Sequence, residues 1–140
     1  MGLMSARKMM KTQRKFKWSQ KAYKKRILKL KVKADPLEGS SQAKGIVVSK
    51  FQKEARQPNS AMRKCCKVQL IKNGITVGAF IPGNLAQKFI DEHDEVIIDR
   101  IRGRSGRQKG DIPGIRFQVI KVNDQPLRLL WKGKIEKGRR

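Results

Sequence analysis

Apolar positions follow one spacing before Asp35 and another after Ala43. In the first segment the spacing is helical. Ser5 is placed to cap a helix running to about Phe16, with Met9 and Phe16 on one narrow side and basic residues elsewhere. Ser19 is placed to cap a second helix. Trp18 before that cap and Tyr23 four residues into the helix fit a hydrophobic staple. Tyr23, Ile27 and Leu30 then share a face. So little apolar surface cannot support free-standing helices, so this arm is expected to be ordered mainly on a partner. Asp35-Pro36-Leu37-Glu38-Gly39 ends it, and acidic residues first occur there.

From Ala43 the period becomes that of strands. Ile46-Val47-Val48 begins one. Cys66, Val68 and Leu70 alternate with Lys67, Gln69 and Ile71, a half-buried strand. Lys72-Asn73-Gly74 carries the Asn-Gly hairpin signal, and Ile75 to Ile81 is the return strand. Pro82-Gly83-Asn84 breaks the run. Leu85, Ala86, Phe89 and Ile90 have helical spacing and predict one short helix. Val96 to Ile101 is the next strand. Ile115, Phe117 and Val119 alternate with polar residues, and then Ile120 and Val122 switch face, which predicts a bulge near Val119. Asn123-Asp124 turns into a last strand, Leu127 to Trp131. Five or six short strands with a helix between the third and fourth fit a mainly β fold. The expected form is a small five-stranded oligonucleotide-binding barrel with a partly helical N-terminal extension. The pattern alone also leaves an SH3-like barrel or a small sandwich open. The expected organisation is residues 1–34 as a basic RNA-binding extension, 35–131 as the barrel and 132–140 as a basic tail.

Charge adds the partner. The 140 residues hold 35 Lys and Arg against 11 Asp and Glu, a net charge of +24, and the first 34 residues contain 13 basic residues and no acid. A compact protein with this charge repels itself unless a polyanion compensates it. Nucleic acid is the abundant choice, because Lys and Arg release its condensed counterions. A membrane surface is less apt, since basic amphipathic anchors need a broad apolar face. No run approaches the roughly 18 apolar residues of a membrane span, and no apolar stretch of a secretory signal follows the basic start. Met1-Gly2 begins like a myristoylation signal, but Ala6 stands where Ser or Thr is wanted. Lys outnumbers Arg and Ser is scarce in the arm, unlike an organelle transit peptide. Cys65 and Cys66 are adjacent, so on a strand they point to opposite faces and make a poor disulfide or metal pair. They read as small apolar residues of a reduced protein.

Two loops carry the candidate chemistry. Lys53 to Lys64 has Gln57-Pro58-Asn59-Ser60 at its centre, where Pro58 restricts Gln57 and Asn59 and Ser60 satisfy backbone groups locally. Arg56, Arg63 and Lys64 flank this small neutral tip. The cations can hold phosphates, while an amide and a hydroxyl can approach a ribose or a base edge. An ordinary polar loop is the simpler reading on composition alone. The second loop, Arg100 to Gly114, is rich in Arg and Gly and ends in Lys109-Gly110-Asp111-Ile112-Pro113-Gly114. Its glycines allow close backbone approach, and Arg can fork or stack on phosphate. Its first half also fits a flexible Arg/Gly linker. The acidic run Asp91-Glu92-His93-Asp94-Glu95 cannot converge on one point and is expected to be solvated. Neither a catalytic group nor a metal or cofactor site is expected, and an enzyme built on His93 is the weakest reading.

Gln57-Pro58-Asn59-Ser60-Ala61-Met62-Arg63-Lys64 and Gly110-Asp111-Ile112-Pro113-Gly114-Ile115-Arg116-Phe117 closely resemble the two signature loops of a universal small-subunit ribosomal protein family. It is called S-twelve in bacteria and S-twenty-three in many eukaryotes. The likeness covers nearly the whole chain. Val68 to Gly74, Asp94-Glu95-Val96 and the tail ending Lys132-Gly133-Lys134 resemble its archaeal and eukaryotic branch. The resemblance implies an oligonucleotide-binding barrel near the decoding centre of the cytoplasmic ribosome, with its N-terminal extension threaded into small-subunit ribosomal RNA. Other ribosomal proteins and the mRNA–tRNA minihelix would be its further neighbours, with no membrane involved. It implies that Asn59 and Ser60 make the closest polar contacts and that Pro58 fixes the loop. It makes Pro58 and Asp111 candidate modification sites, since family members hydroxylate the matching proline or methylthiolate the matching aspartate. Arg56, Gln57 and Gly110 stand where bacterial members have lysines, so properties tied to those lysines do not carry over. The alternative is a free translation factor or RNA chaperone with a barrel that binds single-stranded RNA. Such barrels present aromatic stacking platforms, and this chain has only eight aromatic residues, none paired on an exposed strand face as drawn above.

Overall fold

A computed structural model describes residues 2–101 and 107–138. The chain forms two compact units, Met1–Gly39 and Ser40–Arg140.

The first unit is three helices, α1 (Ser5–Ser19), α2 (Lys21–Ile27) and α3 (Leu30–Lys33), none of which buries a residue. Their ends differ from the sequence expectation. Ser5 lies inside α1 and does not cap it; Met4 takes that position without a side-chain bond. Ser19 is the last residue of α1, not the cap of α2, because its hydroxyl donates back to the Phe16 carbonyl (2.6 Å). A serine at a helix end can bond either way, and here the preceding carbonyl wins. Gln20, in extended conformation, takes the turn between the helices. The staple contact forms all the same: the Trp18 and Tyr23 rings meet edge to face with centroids 5.5 Å apart.

The second unit is mainly β. Its strands are β1 (Gln42–Glu54), β2 (Met62–Leu70), β3 (Thr76–Phe80), β4 (Glu95–Arg100), β5 (Phe117–Val122) and β6 (Gln125–Pro126). They pair antiparallel in the order β3-β2-β1-β4-β5-β6, and a short parallel pairing of β3 with β5 links the first five into a ring. The alternation of β2 is as the pattern indicates, with Cys66, Val68 and Leu70 buried between exposed Lys67 and Gln69. Val77, Ala79, Val96, Ile98, Val119 and Val122 complete the buried set on the neighbouring strands. The bulge also forms: Ile97 pairs with Lys121 and Ile98 with Val119, leaving Ile120 as the extra residue.

Three local expectations change. Leu127–Trp131 is a short helix, α4, not a strand. Leu127 and Leu130 are the buried pair, three residues apart, and Pro126 has no N–H to extend a ladder. The predicted helix at residues 85–90 is a single 3-10 turn, Ala86–Phe89. Ala86 and Ile90 are buried, but Leu85 adopts a left-handed backbone (φ 58°) and is exposed. The hairpin after β2 is wider than a two-residue turn. Gly74, at φ 69°, donates to the Leu70 carbonyl (2.9 Å), and the Asn73 side chain accepts from Ile75 N–H.

Cys65 and Cys66 are both buried free thiols. Burial pushes the Cys66 thiol up to about 12, and burial raises Cys65 as well, against the opposing pull of Lys53 and Lys109.

Candidate nucleic-acid interface

The first candidate loop, Ala55–Ala61, joins β1 to β2. The ladder runs one rung beyond the strands, with Ala55 N–H donating to the Ala61 carbonyl (2.9 Å), and Asn59 N–H closes a turn onto the Arg56 carbonyl (2.9 Å). The Gln57–Pro58 peptide is cis. Arg56, Gln57, Pro58, Asn59 and Ser60 are all exposed, while Arg63 and Lys64, on β2, are half-buried.

The second loop joins β4 to β5 and is rooted by apolar contact. Ile112 and Ile115 are buried with Cys65 and Ile101, against Phe51 and Phe80. Phe51, Cys65 and Phe80 are register partners across β1, β2 and β3. They therefore form one cross-strand row, on the face of β2 opposite Cys66. Two residues buried in succession on β2 mean that both faces of that strand are covered, and this loop supplies the second cover. Gly78 makes room for it: a Cβ there would stand 2.9 Å from Ile115 Cδ1. Backbone bonds from Ile112 N–H to the Lys109 carbonyl (2.7 Å) and from Lys109 N–H to the Ile115 carbonyl (2.8 Å) shape the turn. Gly114, at φ 76°, donates to the Gln108 side chain (3.1 Å). Lys109 Nζ lies 3.5 Å from the centre of the Phe80 ring, a cation–π contact. Burial, with Arg63 nearby, lowers the Lys109 pKa. Gly110 and Arg116 are exposed and Pro113 half-buried. Residues 102–106, which include two arginines of the predicted Arg-rich stretch, lie outside the described residues.

Asp111 joins the loops. Its backbone carbonyl accepts Arg56 N–H (2.8 Å). Its Oδ2 accepts from Arg63 Nη2 (2.6 Å), Arg63 Nε (3.2 Å) and, at the limit of bonding distance, Asn59 Nδ2 (3.5 Å). The Arg63 hydrogen bonds hold the Asp111 carboxyl below its ordinary range. The sequence reading made Arg63 a flanking phosphate cation, whereas its guanidinium forks onto a carboxylate of this same chain. Arg56, Lys64 and Arg116 are the cations presented around the joined tips. Sequence reasoning missed the footing of Phe51, Cys65, Phe80 and Ile101. The one available signal was the adjacent Cys65-Cys66 pair, which breaks polar alternation on a strand.

Within the acidic run Asp91–Glu95, Asp91, Glu92 and His93 are exposed as expected, but Asp91 and Asp94 also take a partner from the chain. Lys137 Nζ reaches Asp91 Oδ2 (2.6 Å) and Asp94 Oδ2 (2.7 Å). Asn123 Nδ2 donates to Asp94 Oδ1 (3.1 Å), and Gly138 N–H donates to the Gln125 side chain (2.8 Å). Burial alone would raise Asp94 and lower Lys137, but the hydrogen bonds between them outweigh it and shift both the other way. The cluster thus fastens the segment after α4. His93, at φ 68°, donates its backbone N–H to the Val47 carbonyl (2.8 Å). Among the described residues no three His, Cys, Asp or Glu side chains are grouped to hold a metal ion, and no helix is long and apolar enough to cross a membrane.

Residues 30–140 match the sequence model of one protein family, described as Ribosomal protein S12/S23.

Proposed function

The chain belongs to the ribosomal protein S12/S23 family, and from that premise we propose that its two joined loops support codon–anticodon accuracy at the decoding centre. Membership makes it a structural constituent of the small ribosomal subunit, in contact with ribosomal RNA and other ribosomal proteins, and the family is structural, not catalytic. The finer reading rests on one observation: Asp111 ties a small, exposed Pro58-Asn59-Ser60 tip to a loop footed in an apolar cluster. Rigid polar groups placed in advance lose little entropy on meeting RNA, so they can favour one geometry of a minihelix over another. The amide of Asn59 and the hydroxyl of Ser60 suit 2′-hydroxyls and base edges. Arg56, Lys64, Lys109 and Arg116 suit nearby phosphates, which position without specifying.

The five-stranded ring is read as an oligonucleotide-binding barrel. Such barrels bind through the loops after their first and fourth strands, and those are the positions of the two candidate loops. Residues 1–34 serve as the basic RNA-binding arm, 35–131 as the barrel and 132–140 as the basic tail. The mRNA–tRNA minihelix lies beside the first loop. Exposed Pro58 is the hydroxylation candidate, and Asp111 is the candidate for modification in the second loop.

The test separates accuracy from assembly. Ser60→Ala, an exposed change, should alter misreading in a reporter assay while the protein still enters subunits. Deleting residues 1–34 should block incorporation. Unchanged misreading together with normal incorporation of the truncated chain would sink the proposal.

A further inference from the structure

A groove of about 700 Å³ lies beside the joined loops, bounded by β2, the end of β3 and the segment leading into the 3-10 turn. Its size is that of a small-ligand site. Lys50, Arg63, Lys64 and Lys88 line it, and no carboxylate residue does. Arg63 already bonds Asp111 and Lys50 lies 3.7 Å from Asp91 Oδ1, so Lys64 and Lys88 are the cations the groove offers to a negative partner. Charge, however, is only part of its character. Met62 and Leu85, both lining residues, leave 56% and 61% of their surface exposed, so the groove also presents apolar surface. Leu85 holds its place in a left-handed backbone, at φ 58°. Leucine avoids that conformation, and residues held in it gather at sites of function. The amide residues Asn84 and Gln87 flank it.

We propose that this groove takes one unstacked nucleotide of ribosomal RNA, with the base against Leu85 and Met62 and its phosphates against Lys64 and Lys88. Each part of the groove answers a part of that ligand. Apolar side chains receive the face of a base taken out of its stack. Side-chain amides can bond its edge. Lysines neutralise the backbone on either side. An acidic protein segment is the other occupant such a surface could take, and a crosslink to protein is the outcome of the test that would show it. Pro58, Asn59 and Ser60 are not among its lining residues, so it would anchor the protein beside the tip, not inspect the codon.

The test uses ribosomes assembled with the full chain carrying a diazirine-bearing lysine analogue at position 88. Irradiation should link it to a single unpaired nucleotide of small-subunit RNA. In a second preparation, Leu85→Gly removes the exposed side chain and relieves the left-handed backbone without touching the core. There the 2′-hydroxyl reactivity of that nucleotide should rise severalfold, as the base loses its apolar contact with Leu85. A crosslink to another protein, to a base-paired nucleotide or to nothing overturns the proposal. So does unchanged reactivity in the Leu85→Gly ribosomes. None of these results bears on Ser60 and misreading, so failure here is distinguishable from failure of the decoding reading.

Discussion

The loop Ala55–Ala61 exposes five consecutive side chains and buries only Ala55, whereas the second loop sinks Ile112 and Ile115 into a cluster with Phe51 and Phe80. One is held by what it bonds to, the other by what it displaces from water. Apolar burial is non-directional and large, so it provides a footing. A charged fork such as Arg63–Asp111 is directional and partly exposed, so it orients without contributing much stability. The first loop therefore borrows its order from the second, and damage should travel in one direction only.

The largest break in this comparison comes from Ile112→Ala. A fully buried isoleucine truncated in a packed cluster costs about 2–5 kcal/mol, read as a lower denaturation midpoint. Hydrogen exchange at Arg56 N–H should quicken too, although that residue lies in the other loop. An Arg56 amide as protected as before would end the idea of borrowed order. Gly78→Ala comes next. Its new methyl group would meet the flexible end of Ile115, an overpacking that costs about 1–3 kcal/mol; the midpoint should fall with no change in denaturant slope. Asp111→Asn should reverse the pattern. The cluster keeps its stability, while exchange quickens at Asn59 and not at Ile112.

The smallest effect is that of acid. The Asp111 pKa is lower folded than unfolded, so its contribution is whole above the ordinary carboxylate value of 3.8 and is lost as pH falls through the lower folded value. Titrating below pH 3.8 and following the Asn59 and Arg63 side-chain resonances should show the first loop released before Ile112 and Ile115 report any change. Simultaneous loss would mean that the loops are one unit.

Much of the fold was legible because period and burial coincide. Cys66, Val68 and Leu70 alternate on one face of β2, and the switch at Ile120 marked its own bulge. Leu127–Trp131 was misread because four apolar residues in five satisfy both a strand and a helix, and only the burial of Leu130 with Leu127 decides. Both signature loops were legible from turn chemistry. Their connection was not: Arg63 and Asp111 are 48 positions apart, and periodicity records local geometry, not which charges meet across a sheet. The tie of the acidic run to the C-terminal segment was hidden for the same reason, since Lys137 reaches Asp94 from 43 positions away.

The two buried cysteines have a practical consequence. Thiolate, not thiol, attacks alkylating reagents. With its pKa pushed up to about 12 by burial, Cys66 stays a thiol at pH 7, and Cys65 is shifted the same way under the cover of Ile112 and Ile115. The native chain thus offers a chemically quiet background. A single Ser60→Cys substitution would be its one fast-reacting position, and a spin label or fluorophore placed there could follow the loop tip through a round of translation.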